Sequence, residues 1–258
     1  MISSYFQGGL GNQLFQIAAA LSLAADNNDT TLFNPALHDL PKQGRKTHNY
    51  TNSILRNINF SPNYKPYKFY QEPHFHYKKI PYAEDICLVG YFQSEKYFSN
   101  NPDLIREAFS IDNGSNDFID NKYGKLLEAE PVSVHIRRGD YMESNGAHPV
   151  CTREYYEKAF EQFNQNTKYL FFSDDIQWCK KSFVGKNYHF AENNEDVVDL
   201  YLMSRCGHNI IANSSFSWWS SWLNTNPEKR VIAPKHWFGG DMNNNVEDLS
   251  CEFWNLIY

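Results

Sequence analysis

Apolar residues recur along this chain with two alternating periods, and the alternation is most regular from residue 131 onward. Val132, Val134 and Ile136 alternate with Ser133 and His135, the period-2 pattern of a strand, and Pro131 stands just before it. A helix over 152–165 follows, with Tyr155, Tyr156, Ala159, Phe160 and Phe163 on one face. The same reading predicts strand 168–172, a short helix over 175–182, strand 187–190, helix 194–205, strand 208–212, helix 215–224 and strand 230–233. Strands alternating with helices mean βαβ units and a parallel sheet.

The first half of the chain starts another such unit. Residues 1–6 read as a short strand running into Gln7-Gly8-Gly9-Leu10-Gly11-Asn12-Gln13, and a helix follows with Leu14, Ile17, Ala18, Leu21 and Ala25 along one face. Strand, glycine turn and helix present backbone N–H groups to an anion. The turn fails as a dinucleotide fingerprint, since Leu14 occupies the third glycine position, and by itself it reads as a tight βα turn. Residues 34–83 read as loop. There Tyr64, Tyr67, Phe69, Tyr70, Phe75, Tyr77 and Tyr82 interleave with Lys65, Lys68, His74 and His76. Such rings stack on sugar C–H faces or, more commonly, form a second packed layer over the core. Strand 86–91 and a helix near 102–109 follow, and Asp112-Asn113-Gly114-Ser115-Asn116 reads as the best linker. The expected architecture is α/β: two Rossmann-like lobes, 1–115 and 116–258, with a cleft between them and a C-terminal tail able to pack back on the first lobe.

Composition narrows the class. A net charge of −6 without a long basic run argues against a nucleic-acid partner. Five cysteines, odd in number and without a CxxC pair, indicate neither a disulfide framework nor a zinc site, and point to a reducing cytoplasm. The start lacks a basic n-region and no apolar run approaches 18 residues, so at most peripheral membrane association is expected.

Chemistry concentrates at strand ends, where open α/β sheets bind ligands. Strand 132–136 stops on Arg137-Arg138-Gly139-Asp140. Two guanidiniums leaving a strand suit a diphosphate, because their planar forks bond anionic oxygens in pairs. The competing readings are surface charges, one paired with Asp140, and an adhesion tripeptide, which would need an exposed loop tip. Phe171-Phe172-Ser173-Asp174-Asp175 ends a second strand, and Asn213-Ser214-Ser215-Phe216-Ser217-Trp218-Trp219 ends a third and opens a helix. Asp199 lies on the helix between. Taken singly, Ser173, Asp174, Ser214 and Ser215 read as helix caps, Asp199 as a solvated helix face and the tryptophans as core. Taken with the arginines they supply anion donors, base-binding carboxylates and an aromatic wall in one lobe, which is a nucleotide-diphosphate site.

Five stretches together resemble bacterial alpha-1,2-fucosyltransferases of glycosyltransferase family 11. They are Gly8-Gly9-Leu10-Gly11-Asn12-Gln13-Leu14-Phe15-Gln16, Gly90-Tyr91-Phe92-Gln93-Ser94-Glu95-Lys96-Tyr97-Phe98, His135-Ile136-Arg137-Arg138-Gly139-Asp140-Tyr141, Phe172-Ser173-Asp174-Asp175 and Asn213 to Trp219. The resemblance implies a GT-B fold, GDP-L-fucose as donor, a galactose-terminated glycan as acceptor, and no metal or other cofactor. It implies that Arg137 holds the β-phosphate of GDP, that His135 and Asp199 contact guanine or ribose, and that Ser215, Phe216 and Ser217 line the diphosphate and base. Arg138, Ser173, Asp174 and Asn213 join them on the donor side. Gly9, Gly11 and Asn12 would form the first-lobe edge of the cleft, near Glu95 and His148 on the acceptor side. The implied reaction is inverting transfer to a galactose 2-hydroxyl. Asp140 leads as the base, ahead of Glu143, Glu95 and His148. The rivals are another linkage or acceptor, a metal-dependent transferase using Asp174-Asp175 or Asp196 and Asp199 as Mg²⁺ ligands, and a sugar-binding module without chemistry.

Overall fold

In the computed structural model, which describes residues 1–38, 46–144, 146–240 and 244–258, the first unit comprises Met1–Asp112 with Asn244–Cys251. Strand β1 (Ile2–Tyr5) leads to helix α1 (Leu10–Asp26), followed by β2 (Lys68–Gln71), β3 (Ile86–Val89) and α2 (Pro102–Ala108). The strands are parallel in the order β1-β3-β2. Ile2 faces Ile86 and Tyr5 faces Val89, so β1 and β3 end level and deliver their following loops to one edge.

Helix α1 is buried nearly all round through Ala20, because β1 covers one side while α2 and the turn Glu95–Tyr97 cover others. The expected stripe therefore holds for Leu14, Ile17 and Ala18 and fails at its end: Leu21 is half-buried and Ala25 exposed, with Ser22 and Ala24 inside. Strand β2 lies within the stretch read as loop. It is an edge strand with Lys68, Phe69 and Gln71 exposed, so burial imposes no alternation on it. Residues 39–45 of that stretch lie outside the described residues. The segment 244–251 joins this unit through Asp248, which pairs with Lys96 and accepts from Tyr77 N at 2.9 Å.

The second unit comprises Asn113–Asn243 with Glu252–Tyr258. It contains α3 (Asn113–Leu127), β4 (Val132–Ile136), α4 (Arg153–Phe160), β5 (Tyr169–Ser173), α5 (Ile176–Ser182), β6 (Tyr188–Phe190), α6 (Asp196–Ser204), β7 (His208–Ile210), α7 (Ser215–Leu223), β8 (Val231–Pro234) and β9 (Asn255–Ile257). All six strands are parallel, in the order β6-β5-β4-β7-β8-β9. The chain steps outward from β4 to β6, returns, and continues from β7 on the other side. That is the Rossmann order, and its direction reverses between β4 and β7.

Helices on both faces bury every residue of β4, His135 and Ser133 included. Ser133 is satisfied there by Asn209 Nδ2, 2.7 Å from its Oγ. Two expectations are corrected. The supposed linker Asp112 to Asn116 is mostly the first turn of α3, a helix whose buried residues are only Ile119 and Tyr123, one turn apart, too narrow a stripe to mark it. Helix α4 ends at Phe160, well before 165, after starting on Thr152, whose Oγ1 accepts from Tyr155 N at 3.3 Å. Strand β9 adds a sixth strand from three residues with no periodic run.

Candidate active site

The register of β4 and β5 builds the centre of the site. Ile136 faces Ser173, so Arg137 and Arg138 leave the sheet beside Asp174 and Asp175. Arg137 NH1 pairs with Asp174 Oδ2 at 3.2 Å, and its NH2 stands 2.7 Å from Asp140 Oδ1. Arg138 donates from its backbone N to Asp174 Oδ1 at 3.0 Å and from Nε to Asp175 Oδ2 at 3.2 Å. Its guanidinium lies 3.9 Å over the Trp178 ring. Asp175 also caps α5, accepting from Trp178 N at 3.2 Å, while Ser173 Oγ accepts from Asp175 N at 2.9 Å. Arg138 is thus a brace, and Arg137 the more open cation, with 28% of its side chain exposed. The Arg-Gly-Asp run is part of this ion-paired cluster, which leaves the adhesion reading without a loop tip.

Across the switch point, Asn213 ties the end of β7 to its surroundings: its Nδ2 donates to Pro149 O and Trp237 O, both at 2.9 Å. Tyr141 OH donates to Asn213 O at 2.9 Å, which joins the loop after β4 to the loop after β7. Ser215 and Phe216 open α7 partly exposed, whereas Ser217 is buried with its hydroxyl turned back to Ala212 O and Ser214 O. Trp218 and Trp219 do not form the expected aromatic wall. Both are fully buried, packed on each other at 5.2 Å, because α7 turns that face to the core. The rings at the site are instead Phe216, Tyr141 and Trp178. His135 lies 5.7 Å from Phe216, centroid to centroid. Burial, and then the nearby Arg137, push its pKa down to about 3, so the imidazole is neutral; its buried Nδ1 has no hydrogen-bond partner among the described residues.

Asp199 sits in the first turn of α6, a helix packed against α7. Asn194 Nδ2 donates to its Oδ1 at 2.8 Å, and Asn194 itself is held by the Tyr123 hydroxyl and Lys122. Burial, opposed by the Asn194 bond, lifts the Asp199 pKa to about 6. This network shares no residue with the Arg137 cluster. His148 does reach that cluster, stacking on Tyr141 at 5.0 Å and 22°.

The remaining expected residues lie in the first unit. Gly9 caps α1 and Gly11 lies inside it. Asn12 Oδ1 accepts from Gln93 Nε2 at 2.7 Å, and Gln16 Nε2 donates to Gln7 O and Gly90 O, so the two motifs of this unit form one block at the ends of β1 and β3. Gly8 takes φ +72°, and a Cβ there would meet Asn12 Nδ2 at 2.1 Å. Glu95 stands in the short helical turn behind Ser94. Missed by sequence reading was Glu72, whose carboxylate accepts from Tyr91 N at 2.7 Å and Phe92 N at 3.0 Å and so holds the second motif; burial raises its pKa. Its place in an edge strand's loop gives no local signal. Among the described residues no group of three or more His, Cys, Asp or Glu side chains is placed to hold a metal ion, and no helix is long and apolar enough to cross a membrane.

The fold has solved counterparts. NodZ alpha-1,6-fucosyltransferase soaked with GDP-fucose superposes with a TM-score of 0.53 at 13% identity, over 93% of this chain and 96% of that one. POFUT1 in complex with GDP gives 0.54 at 12% identity, over 90% and 97%. At that identity the likeness speaks for the GT-B fold alone. Sequence relatives include the O-antigen biosynthesis glycosyltransferase WbnK of Escherichia coli, 33% identical over 97% of this chain and 98% of its own length. An alpha-1,2-colitosyltransferase of Escherichia coli is 34% identical over 90% of each. The galactoside 2-alpha-L-fucosyltransferase Sec1 of Mus musculus is 26% identical, over 86% of this chain and 64% of its own. The model of glycosyl transferase family 11 matches residues 48–257, which takes in β4 with its paired arginines, and the chain belongs to that family.

Proposed function

We propose that this transferase moves L-fucose from GDP-β-L-fucose to the 2-hydroxyl of a terminal galactoside, with inversion and without a metal. The observation that carries the reading is Arg137 and Arg138 at the carboxyl end of β4, beside the switch point where a Rossmann sheet binds nucleotides. The leaving diphosphate gathers negative charge as the sugar bond stretches, and cations already aimed at it lower the barrier most. Arg137 takes that role. Arg138 and Asp174 hold the loop, with Ser173 and Asn213 behind them. Backbone N–H groups at Ser215, Phe216 and Ser217 add a helix N-terminus to the anion site. His135 and Asp199 serve the guanosine.

Asp174 and Asp175 are engaged by the arginines, which supports a cation-based rather than Mg²⁺-based diphosphate site. Asp140 serves the other half of the reaction, the loss of the acceptor proton. Gly9, Gly11, Asn12 and Glu95 belong to the acceptor side. A non-catalytic sugar-binding module has no use for a diphosphate site, and five cysteines, odd in number and without a CxxC pair, fit a reducing cytoplasm. One relative being a colitosyltransferase favours a second reading in which the donor sugar is colitose. The test is incubation with GDP-fucose or GDP-colitose and a panel of β-galactosides, with product linkage read by NMR. An α-1,2-fucosylated galactoside is expected; turnover of neither donor overturns the reading.

A further inference from the structure

We propose that His148 accepts the proton of the acceptor hydroxyl, with Asp140 as the carboxylate that orients it and stabilises its charged form. This rests on the transferase reading above.

Both carboxylate oxygens of Asp140 are buried; Oδ1 forms an ion pair with Arg137 NH2 at 2.7 Å, off the hydrogen-bonding direction, and among the described residues neither oxygen accepts a hydrogen bond. A buried carboxylate that has an ion pair but no well-directed hydrogen bond is incompletely satisfied, and such a group calls for an explanation. The Nδ1 of His148 is buried and likewise has no hydrogen-bond partner among the described residues. The chain folds His148 onto Tyr141, the neighbour of Asp140, so that one Nδ1–H···Oδ bond formed with substrate in place gives the imidazole a partner and one carboxylate oxygen a donor. The carboxylate–imidazole pairing then fixes the tautomer that leaves Nε2 as the acceptor, the logic by which a buried aspartate supports a histidine base.

The ring is held for this role. It stacks on Tyr141 and meets Phe238 at 5.6 Å. Its backbone N donates to Ser144 Oγ at 3.2 Å, and Gly239 N donates to Ala147 O at 3.0 Å. A Cβ on Gly239 would fall 1.7 Å from Gly146 O, so this close approach of two loops requires glycine. Burial lowers the His148 pKa while Asp140 opposes it, leaving a neutral ring at pH 7. The charged group that acts on it is Asp140, itself paired with Arg137; Tyr141 and Cys151 are both pushed up by burial, the thiol to about 11, and stay protonated.

The step balances within the transfer. The acceptor oxygen bonds to the anomeric carbon, the bond from that carbon to the β-phosphate oxygen breaks, and its electron pair leaves with GDP. The hydroxyl proton passes to His148 Nε2 and is then released to solvent.

The experiment compares wild type, His148→Ala and His148→Phe in transfer kinetics, with GDP affinity measured by calorimetry. Both variants should bind GDP as wild type does and lose kcat by about 10²–10³-fold. The Phe variant keeps the ring stack, so equal loss in both assigns the effect to the nitrogen. Added imidazole should restore part of the rate to His148→Ala, and the acidic limb of the kcat profile should vanish in both. A His148→Phe enzyme within about threefold of wild type, against that expected loss, would overturn the assignment alone. A wild-type protein that binds no GDP would overturn the transferase reading with it.

Discussion

The Arg137 guanidinium and the Asp174 carboxylate stand 3.2 Å apart because β4 and β5 run parallel with Ile136 opposite Ser173. Asp174 also accepts from Arg138 N, so one carboxylate sets both the side chain of the first arginine and the backbone of the second. The cation is oriented before any ligand arrives, which is the condition under which electrostatic stabilisation is strongest.

Arg137→Lys tests that condition, since it keeps the charge and loses the fork. One ammonium cannot hold two oxygens along the same directions. The deficit should appear mainly in kcat at saturating GDP-fucose, by ~10²–10³, or about 3–4 kcal/mol. Arg138→Lys should be milder, because Arg138 braces the loop through Asp175 and Trp178. Rates within about threefold of wild type for Arg137→Lys, far short of that loss, would place the diphosphate elsewhere. Circular dichroism checks that each variant is folded.

Gly139→Ala should disturb the same pair without replacing either residue. A Cβ at Gly139 would lie 2.7 Å from Asp174 Oδ2 and 3.2 Å from its Cγ, so the carboxylate must move off Arg137. Losing a hydrogen bond to a charged group costs roughly 1.5–3 kcal/mol. GDP affinity should drop by about tenfold or more, measured by calorimetry; wild-type affinity would mean that Asp174 does not set the arginine.

Asp199 gives a pH signature. Its folded pKa, about 6, exceeds the unfolded value of about 3.9. Between these values the native protein keeps a proton that the unfolded chain has lost, so this group's effect is to lower stability as pH rises through that window. Donor binding runs the other way. Guanine N1–H and N2–H₂ need an ionised acceptor, so GDP affinity should fall as pH drops through about 6. Asp199→Ala should weaken GDP binding by roughly 1–3 kcal/mol and remove that limb. A titration from pH 7.5 to 5, set about the ordinary carboxylate and histidine range, checks both; a flat affinity in wild type removes Asp199 from the base site.

Excess EDTA should leave transfer unchanged, since Asp174 and Asp175, one of the two carboxylate pairs that would bind Mg²⁺, are engaged by Arg137 and Arg138, and Asp199 of the other is held by Asn194. Loss of activity that Mg²⁺ or Mn²⁺ restores would reverse the reading.

What the sequence alone determined is local. The alternation in 132–136, the arginines that end it and the strand–helix rhythm to 233 depend on neighbouring residues, whose spacing records which faces are apolar. The same holds for the five family stretches. Elements that burial does not pattern stayed hidden: the edge strands β2 and β9, and α3 with two buried residues. Polar residues in buried places were equally silent, since Ser133 and His135 look like a solvent face until helices cover both sides of β4. The site itself was decided only by tertiary structure. Strand order put β5 and β7 on either side of β4, and that order set Asp174 against Arg137 and Asn213 against Tyr141, while the loop after β4 folded His148 onto Tyr141. It also sent Trp218 and Trp219 into the core. Each of these pairings joins residues far apart in the chain or across a loop, and no periodicity along one strand or helix carries the position of another.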